Sequence, residues 1–378
     1  MDITLPTPLL GGLSPAQFMR RHWQKKPLLI RQAVPGGIDL IDRSALFELA
    51  SNDAVESRLI TAADGRWKMR QGPLARRALP PLARVGWTLL VQGLDLHLPE
   101  AHELLARFRF VPDARVDDLM LSYASDGGGV GPHVDSYDVF LLQSKGRRRW
   151  RIGKLREGTD DEALLPDMPL KILANFTPSE EHLLEAGDML YLPPGWGHDG
   201  VAEGECMTAS IGFRAPPAAE LGRELLQRLI DDAEESDRPR LYRDPKQTAT
   251  AEPGRIPAAL QAFASDAVTA LLRDPHALAC GLGELLSEPK PSVEFVPGDA
   301  LPPGAGVCLD RRTRMAYDDR FVFINGESFR AAGRDATLMR RLADVRMLAA
   351  HELVKLSPDA QELVGDWVLA GWLQAQAD

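Results

Sequence analysis

The chain has 378 residues, 44% of them hydrophobic and 26% charged, with a formal net charge of −10. This length and composition predict a soluble protein of two or three domains, and the acidic charge disfavours direct nucleic-acid binding, which normally requires a basic surface. Three distant cysteines argue against a disulfide framework, and no apolar run is long enough to span a membrane, so we expect a cytoplasmic protein.

The first hundred residues predict short helices and one strand. Residues 14–32 predict a helix that Ser14 caps, with Pro15 at its first position, followed by a strand over LLIR. Residues 43–50 and 99–107 predict two further short helices.

From residue 115 the chain consists of short apolar runs separated by Gly and Pro. GGGVGP predicts a turn, and a turn at Lys145-Gly146 predicts a hairpin between the runs on either side of it. The predicted strands are DDLMLSYAS, DVFLLQS, RRRWRI, DMLYLPPGWGH and ECMTASIGF. Many short strands with such turns predict an all-β sandwich or barrel.

After residue 217 the pattern becomes helical. Residues 218–233 and 257–273 carry apolar residues at helical spacing, but they are too few to form a domain alone. We therefore expect their apolar faces to pack on each other or on a second subunit.

The last hundred residues mix helices with a hairpin. Asn325-Gly326 lies between two apolar runs, which is a strong hairpin signal. Helices are predicted at LMRRLADVR and after the cap residue Ser357, and helices beside a small hairpin suggest a winged helix. Residues 276–378 contain 11 Lys and Arg against 15 Asp and Glu, a net charge of −4, which disfavours DNA binding by this module.

The stretch GPHVD contains two side chains suited to one metal ion. Residues two apart in a strand share a face, so His133 and Asp135 can converge. Two histidines and one carboxylate form the facial triad of non-haem Fe(II) oxygenases, and His198, at a Pro/Gly turn after a strand, is the best second histidine. The plainer alternative is a purely structural His-x-Asp pair, but the Gly-rich turn and His198 favour metal binding.

The segment RRRWR alternates between two faces. Arg148 shares a face with Trp150 and Ile152, so we expect it to be buried, while the other three arginines share a solvated face. A buried guanidinium is costly unless it meets an anion, and it pairs well with a carboxylate. A dicarboxylate co-substrate would supply that anion. A buried salt bridge to a protein carboxylate is the alternative.

Three longer segments occur in order along the chain: FMRRHWQKKPLLIRQ, DDLMLSYASDGGGVGPHVDSYDVFLLQ, and LPPGWGHDG followed by SIGFRAP. With these segments and GRRRW, the chain resembles the JmjC family of Fe(II)- and 2-oxoglutarate-dependent oxygenases. Within that family it is similar to the bacterial ribosomal oxygenases, which hydroxylate the β-carbon of an arginine in the sixteenth large-subunit ribosomal protein.

The resemblance implies three domains. Residues 1–215 would form a mainly β catalytic core, a double-stranded β-helix of the JmjC and cupin type. Residues 216–275 would form a helical dimerisation segment, and residues 276–378 an α/β winged-helix-like domain.

The resemblance also implies roles for individual residues. His133, Asp135 and His198 would bind Fe(II), and Arg148 would hold the distal carboxylate of 2-oxoglutarate. Ser122 and Ser210 would contribute to co-substrate binding.

The alternation of side chains along a strand indicates which residues could contact the substrate. Asp118 and Met120 share a face with Ser122, and Tyr137 follows Asp135 by two residues. A substrate arginine needs a counter-charge and a soft or flat surface for its stem, which Asp118, Met120 and Tyr137 provide. The alternative is that Met120 is a core residue and Asp118 lies on the surface at the start of a strand.

The function implied is that of a ribosomal protein arginine 3-hydroxylase, a 2-oxoglutarate-dependent dioxygenase that uses Fe(II) and dioxygen and acts as a homodimer. Its acidic charge suits a basic ribosomal protein as substrate. Three alternatives stay open: the same chemistry on a histidine or methyl-lysine of another basic protein, a non-catalytic metal-binding cupin regulator, and a winged-helix transcription regulator.

Overall fold

The computed structural model of the chain describes residues 2–376 apart from 64, 157, 235–240, 247, 250–253 and 274. By its internal contacts the chain divides into two compact units, Met1–Ala215 and Pro216–Asp378. Among the described residues there is no helix with the length and hydrophobicity needed to cross a membrane.

The described part of the first unit has four α-helices and ten strands. The helices are α1 (Pro15–Arg21), α2 (Arg43–Leu49), α3 (Leu94–His97) and α4 (Pro99–Ala106). The strands are β1 (Leu28–Ile30), β2 (Ser57–Ala63), β3 (Arg66–Gln71), β4 (Trp87–Val91), β5 (Val116–Ala124), β6 (His133–Val134), β7 (Val139–Lys154), β8 (Glu180–Glu185), β9 (Met189–Leu192) and β10 (Trp196–Phe213).

The predicted start of the first helix is confirmed. The Ser14 hydroxyl accepts from the Gln17 backbone N–H at 3.2 Å, and the Gln17 side chain accepts from the Ser14 N–H at 3.1 Å. This reciprocal pair is a capping box. The two other short helices predicted before residue 110 are also present, as α2 and α4.

The strands form one antiparallel sheet that folds over in two layers. Its order is β1-β9-β7-β10-β5-β4-β2-β3, while β6 pairs with β10 and β8 with β7. Residues 139–142 of β7 pair with β9, and residues 147–152 pair with β8. The long strands β7 and β10 therefore belong to both layers of a cupin-like β core.

The predicted hairpin at Lys145-Gly146 is wrong, because β7 runs through this point as one strand. The register between β7 and β10 shifts twice where Lys145 passes Met207. Gly146 has φ +66°, and a Cβ there would collide with the Glu205 carbonyl. A bulge of this kind bends a strand and increases its twist, which lets β7 continue from one layer into the other. In the same way, WGH and ECMTASIGF are parts of one strand, β10.

Strand β7 is buried on both faces at its start. Phe140 and Leu142 belong to the large core beside the N-terminal helices. Val139 and Leu141 belong to a second cluster inside the barrel. Successive side chains alternate between these two cores, which explains the uninterrupted apolar run VFLL.

The second unit has six helices and six strands in its described part. The helices are α5 (Ala218–Glu234), α6 (Ala258–Leu271), α7 (Pro275–Ser287), α8 (Gly333–Val345), α9 (Ala350–Leu353) and α10 (Pro358–Leu369). The strands are β11 (Gly306–Leu309), β12 (Met315–Tyr317), β13 (Phe321–Ile324), β14 (Glu327–Arg330), β15 (Met347–Leu348) and β16 (Leu373–Gln376).

The hairpin and helices predicted near the end of the chain are confirmed. Asn325 and Gly326 have φ +49° and +89° and join β13 to β14, as a two-residue hairpin turn requires. The Ser357 hydroxyl accepts from the Ala360 N–H at 3.3 Å and caps α10. Helix α7 was not predicted, and it is joined to α5 by an ion pair between Arg228 Nη1 and Glu284 Oε2 at 3.8 Å.

Candidate metal and co-substrate site

The three predicted metal ligands lie next to one another in the first unit. His133 on β6 is directly opposite His198 near the start of β10, and Asp135 follows β6. Possible ligand atoms of the three side chains all lie within 4.8 Å of one another, and Nε2 of His198 is 3.6 Å from Asp135 Oδ2. His198 was expected at the end of the preceding strand, but it lies in the next one, because the Pro/Gly turn comes before it.

In both histidines Nδ1 faces a backbone carbonyl, which leaves Nε2 as the nitrogen available to a metal ion. Nδ1 of His133 lies 2.8 Å from the Gly131 carbonyl, and Nδ1 of His198 lies 3.1 Å from the Trp196 carbonyl. A carbonyl oxygen can only accept, so in the neutral form of each ring Nδ1 carries the proton and Nε2 has the lone pair. A second hydrogen bond of this kind fixes the ring of a ligating histidine.

Burial, with the neighbouring His133 as a smaller cause, lowers the pKa of His198 to about 4. The ring is only 3% exposed. His198 is therefore neutral near pH 7, which is the protonation state that metal binding requires.

Close packing explains the glycines in the turn before His133. A Cβ on Gly128 would collide with the Trp87 carbonyl, and a Cβ on Gly129 would collide with the Gly200 carbonyl. Gly131 has φ +93°, which disfavours any residue with a Cβ. The predicted turn is present, and its glycines let the segment approach β4 and β10 closely enough to place His133.

Arg148 points into the β core and has no charge partner among the described residues. It is 4% exposed, and Nη1 donates to the Ser122 hydroxyl at 3.2 Å. Nε and Nη2 are buried without a hydrogen-bond partner, and within the described part of the chain Arg148 forms no salt bridge. The alternative of a buried protein salt bridge is therefore not supported, and the two orphaned donors fit the carboxylate of a ligand.

The alternation predicted for RRRWR is present. Trp150 and Ile152 are 5% and 0% exposed, on the same face as Arg148. On the other face, Arg149 pairs with Glu181 at 2.7 Å. Arg151 forms an ion pair with Asp199, and Arg147 is exposed to solvent.

A row of contacts connects the arginine to the metal ligands. The Arg148 guanidinium lies 5.8 Å from the Trp150 ring centre, and the Trp150 ring lies 5.9 Å from the His198 ring. In the register of β7 and β10, His198 is opposite Ile152 and Ala202 is opposite Arg148. The anion-binding group and the candidate metal site therefore share one interior.

The other predicted co-substrate residues line the same strands. Ser122 on β5 is 3% exposed, and Ser210 on β10 is 9% exposed, opposite Met120. Sequence reasoning missed Thr88 and Trp150 as polar groups of this interior. Thr88 Oγ1 and Trp150 Nε1 are buried, and neither has a hydrogen-bond partner among the described residues. For Thr88, the sequence signal was a polar residue within the otherwise apolar run WTLLV.

The predicted substrate residues occupy three different environments. Asp118 is 5% exposed and accepts from the Gly93 N–H at 3.0 Å, so it is not the surface residue of the alternative interpretation. Met120 is half-buried. Tyr137 is 39% exposed, and desolvation together with the Asp135 carboxylate raises the pKa of its phenol. Their contacts with a substrate stay predictions.

Comparisons with known proteins agree with this architecture. Residues 103–221 match the JmjC domain family, and residues 270–374 match the ROXA-like winged helix. The chain is 35% identical over 337 residues to the ribosomal protein uL16 3-hydroxylase of Escherichia coli K12, covering 84% of this chain and 86% of that protein.

Solved structures agree in fold over nearly the whole chain. An X-ray structure of E. coli YcfD matches with a TM-score of 0.81 at 30% identity, covering 96% of this chain and 98% of that one. A structure of YcfD, a ribosomal oxygenase, in complex with cobalt and 2-oxoglutarate matches with a TM-score of 0.79 at 29% identity, covering 97% and 99%. The chain therefore belongs to the JmjC-domain family of oxygenases.

Proposed function

We propose that this protein is an Fe(II)- and 2-oxoglutarate-dependent hydroxylase that acts on the β-carbon of an arginine in ribosomal protein uL16. The observation that carries the proposal is the shared interior of the His133, Asp135 and His198 cluster and the buried, unpaired Arg148. A non-catalytic metal-binding module would need neither an incomplete ligand set nor a buried anion-binding group.

The donor set fits Fe(II). Two neutral imidazoles and one carboxylate would occupy one face of the ion and leave positions for co-substrate and dioxygen. When bound, Fe(II) with 2-oxoglutarate and dioxygen supplies the oxidation that converts a C–H bond to C–OH, while 2-oxoglutarate becomes succinate and carbon dioxide.

The side chains of the barrel would bind and orient the co-substrate. Arg148 would bind the distal carboxylate through Nε and Nη2, for which the residues that the structure describes offer no hydrogen-bond partner. Its Nη1 is already held by Ser122, so the guanidinium loses little freedom on binding. Ser210 would offer a hydroxyl from the neighbouring strand, and the Trp150 ring would exclude water from the same space.

The three predicted substrate residues suit a cationic side chain. The buried Asp118 carboxylate would supply a counter-charge, and its orientation is held by the Gly93 N–H. The Tyr137 ring and the Met120 thioether would contact the aliphatic stem of the arginine. The relative is named for uL16, and the net charge of −10 would attract such a basic protein.

We also propose that the protein acts as a homodimer, formed by the helical segment at 216–275 between a catalytic domain at 1–215 and a winged-helix domain at 276–378. The support is apolar surface on α5 and α6, where Leu226, Ile230 and Val268 are 43%, 40% and 59% exposed. Replacing Leu226 and Ile230 together by Glu should yield a monomer in light scattering, whereas a Gln227→Glu control should stay dimeric.

The test is turnover of 2-oxoglutarate to succinate by the Fe(II)-loaded full chain, with and without uL16. We expect uL16 to stimulate turnover strongly and to gain the mass of one oxygen atom on an arginine. The His133→Ala variant should do neither. Turnover with no change in uL16 would show that uL16 is not the substrate. Modification of a histidine or methyl-lysine would support the same chemistry on another target.

A further inference from the structure

A tryptophan on the β2–β3 hairpin lies against the segment that leads into His133. A Cβ placed on Gly131 would be 2.8 Å from Cε2 and 2.9 Å from Nε1 of Trp67. The indole ring is therefore in direct contact with the glycine backbone. Within the described residues, Trp67 is half-buried and belongs to none of the buried apolar clusters.

The segment before His133 is held by backbone hydrogen bonds on both sides of Gly131 and by the Trp67 ring at Gly131 itself. At its start, the Gly128 N–H donates to the Ser125 carbonyl at 2.8 Å, and the Gly128 carbonyl accepts from the Ala202 N–H at 2.9 Å. At its end, the three atoms nearest to a Cβ on Gly131 all belong to the Trp67 ring. At that end the Pro132 carbonyl also accepts from the Leu173 N–H at 2.8 Å, and His133 pairs with His198. Backbone hydrogen bonds therefore hold both flanks, and the Trp67 ring restrains Gly131 between them.

Gly131 matters because it orients a metal ligand. Its carbonyl accepts from Nδ1 of His133 at 2.8 Å, which sets both the tautomer and the ring direction of that histidine. A shift of Gly131 would move this carbonyl and turn the imidazole away from Asp135 and His198.

The space around Trp67 leaves room for such a shift. A cavity of about 330 Å³ is lined by Trp67, Gly131, Phe176 and Asp199. Removing the indole would enlarge this cavity on the side where Gly131 contacts the ring, and a glycine with no packing partner gains conformational freedom.

We propose that Trp67 is a positioning residue for the metal site: by packing on Gly131 it holds the carbonyl that orients His133. The inference rests on the proposed metal-binding function. It gives the β2–β3 hairpin a role in metal affinity, although neither of its strands carries a predicted metal ligand. Loss of the hydrogen-bonded partner of a ligand, here the Gly131 carbonyl, typically weakens metal binding about 10- to 100-fold, which sets the upper limit for the effect of removing Trp67.

The test is a titration of the metal-free full chain with Co(II), followed by the visible absorption of the bound ion. Trp67→Ala should raise the Co(II) dissociation constant by up to about 10- to 100-fold, the range for loss of the Gly131 hydrogen bond, and change the shape of the absorption band. Trp67→Phe, which keeps an aromatic ring against Gly131, should recover most of the affinity. Lys68→Ala, at the adjacent exposed position of β3, should bind as the wild type does.

The outcomes separate this inference from the proposed function. If wild type and His133→Ala bind Co(II) with the same dissociation constant, the proposed metal site and the inference are both overturned. If wild type binds and a folded Trp67→Ala binds equally well, only the inference is overturned, as it is if Lys68→Ala weakens binding as much. Thermal unfolding of the metal-free variants checks the fold. Should Trp67→Ala not fold, Trp67→Leu must still bind less tightly than Trp67→Phe.

Discussion

Arginines lie on both faces of the paired strands β7 and β10, but their surroundings differ in burial and in charge partners. On the outer face, Arg149 and Arg151 are partly exposed and paired with carboxylates of the chain. On the inner face, Arg148 is buried, and two of its donors have no hydrogen-bond partner in the described part of the chain. Because a solvated ion pair is nearly neutral in energy and a buried unpaired cation is costly, the outer face needs no ligand for its charge balance, whereas the inner face does.

The largest expected effect comes from removing an inner-face metal ligand. His198→Ala should weaken Co(II) or Fe(II) binding by more than about 100-fold, since a ligand contributes more than its outer partners do, and turnover should be lost. Glu203→Gln, on the outer face of the same strand, should retain both. Calorimetric titration of metal into the two variants makes the comparison, and equal affinities would contradict it.

The arginines of β7 test the same contrast for the co-substrate. Arg148→Gln should raise the KM for 2-oxoglutarate about 10- to 100-fold, because hydrogen bonds to charged groups contribute about 1.5–3 kcal/mol. The KM for uL16 should change far less. Arg149→Gln is the matched control and should leave both constants near the wild-type values. A larger change in the KM for uL16 than in the KM for 2-oxoglutarate would indicate that Arg148 binds the protein substrate.

Burial of the inner face should also appear in the pH dependence of stability. The pKa of His198 falls from an ordinary 6.5 to about 4 in the folded chain. Between these values the unfolded state binds more protons, so metal-free protein should lose up to about 3 kcal/mol as pH falls from 6.5 to 4.

Urea unfolding at several pH values measures this loss. A His198→Gln variant, which lacks the titrating ring, should lose that much less over the same interval. Parallel pH profiles for the two proteins would show that the ring is not held neutral by burial.

The smallest effect is expected on the outer face. Arg149→Ala, Glu181→Ala and the double variant form a cycle around an ion pair whose side chains are 40% and 49% exposed. The coupling energy from denaturant unfolding should be about 0.2–1 kcal/mol, the range for exposed pairs. A coupling of several kcal/mol would mean that the outer pairs also maintain the fold.

Strand parity made much of the site predictable. Alternation alone places Arg148 inside with Trp150 and Ile152, and the pair His133 and Asp135 could be assigned to one face. The structure agrees with the first inference; the second holds in that the ligand atoms converge, although β6 ends at Val134 and Asp135 comes from the residue after the strand.

The course of β7 could not be predicted in the same way. A Lys-Gly pair between two apolar runs is compatible with a two-residue turn and with a bulge, and the choice between them depends on pairing with β10 some sixty residues later. The contact between Trp67 and Gly131 likewise joins distant segments, and no local pattern in the sequence marks it.

The most direct test of the central claim is tandem mass spectrometry of uL16 after reaction with the Fe(II)-loaded protein, 2-oxoglutarate and isotope-labelled dioxygen. The predicted result is one labelled oxygen on the β-carbon of an arginine, absent with Arg148→Gln at low 2-oxoglutarate and restored when its concentration is raised. Label on another residue, oxygen that comes from water, or no incorporation at all would contradict the claim.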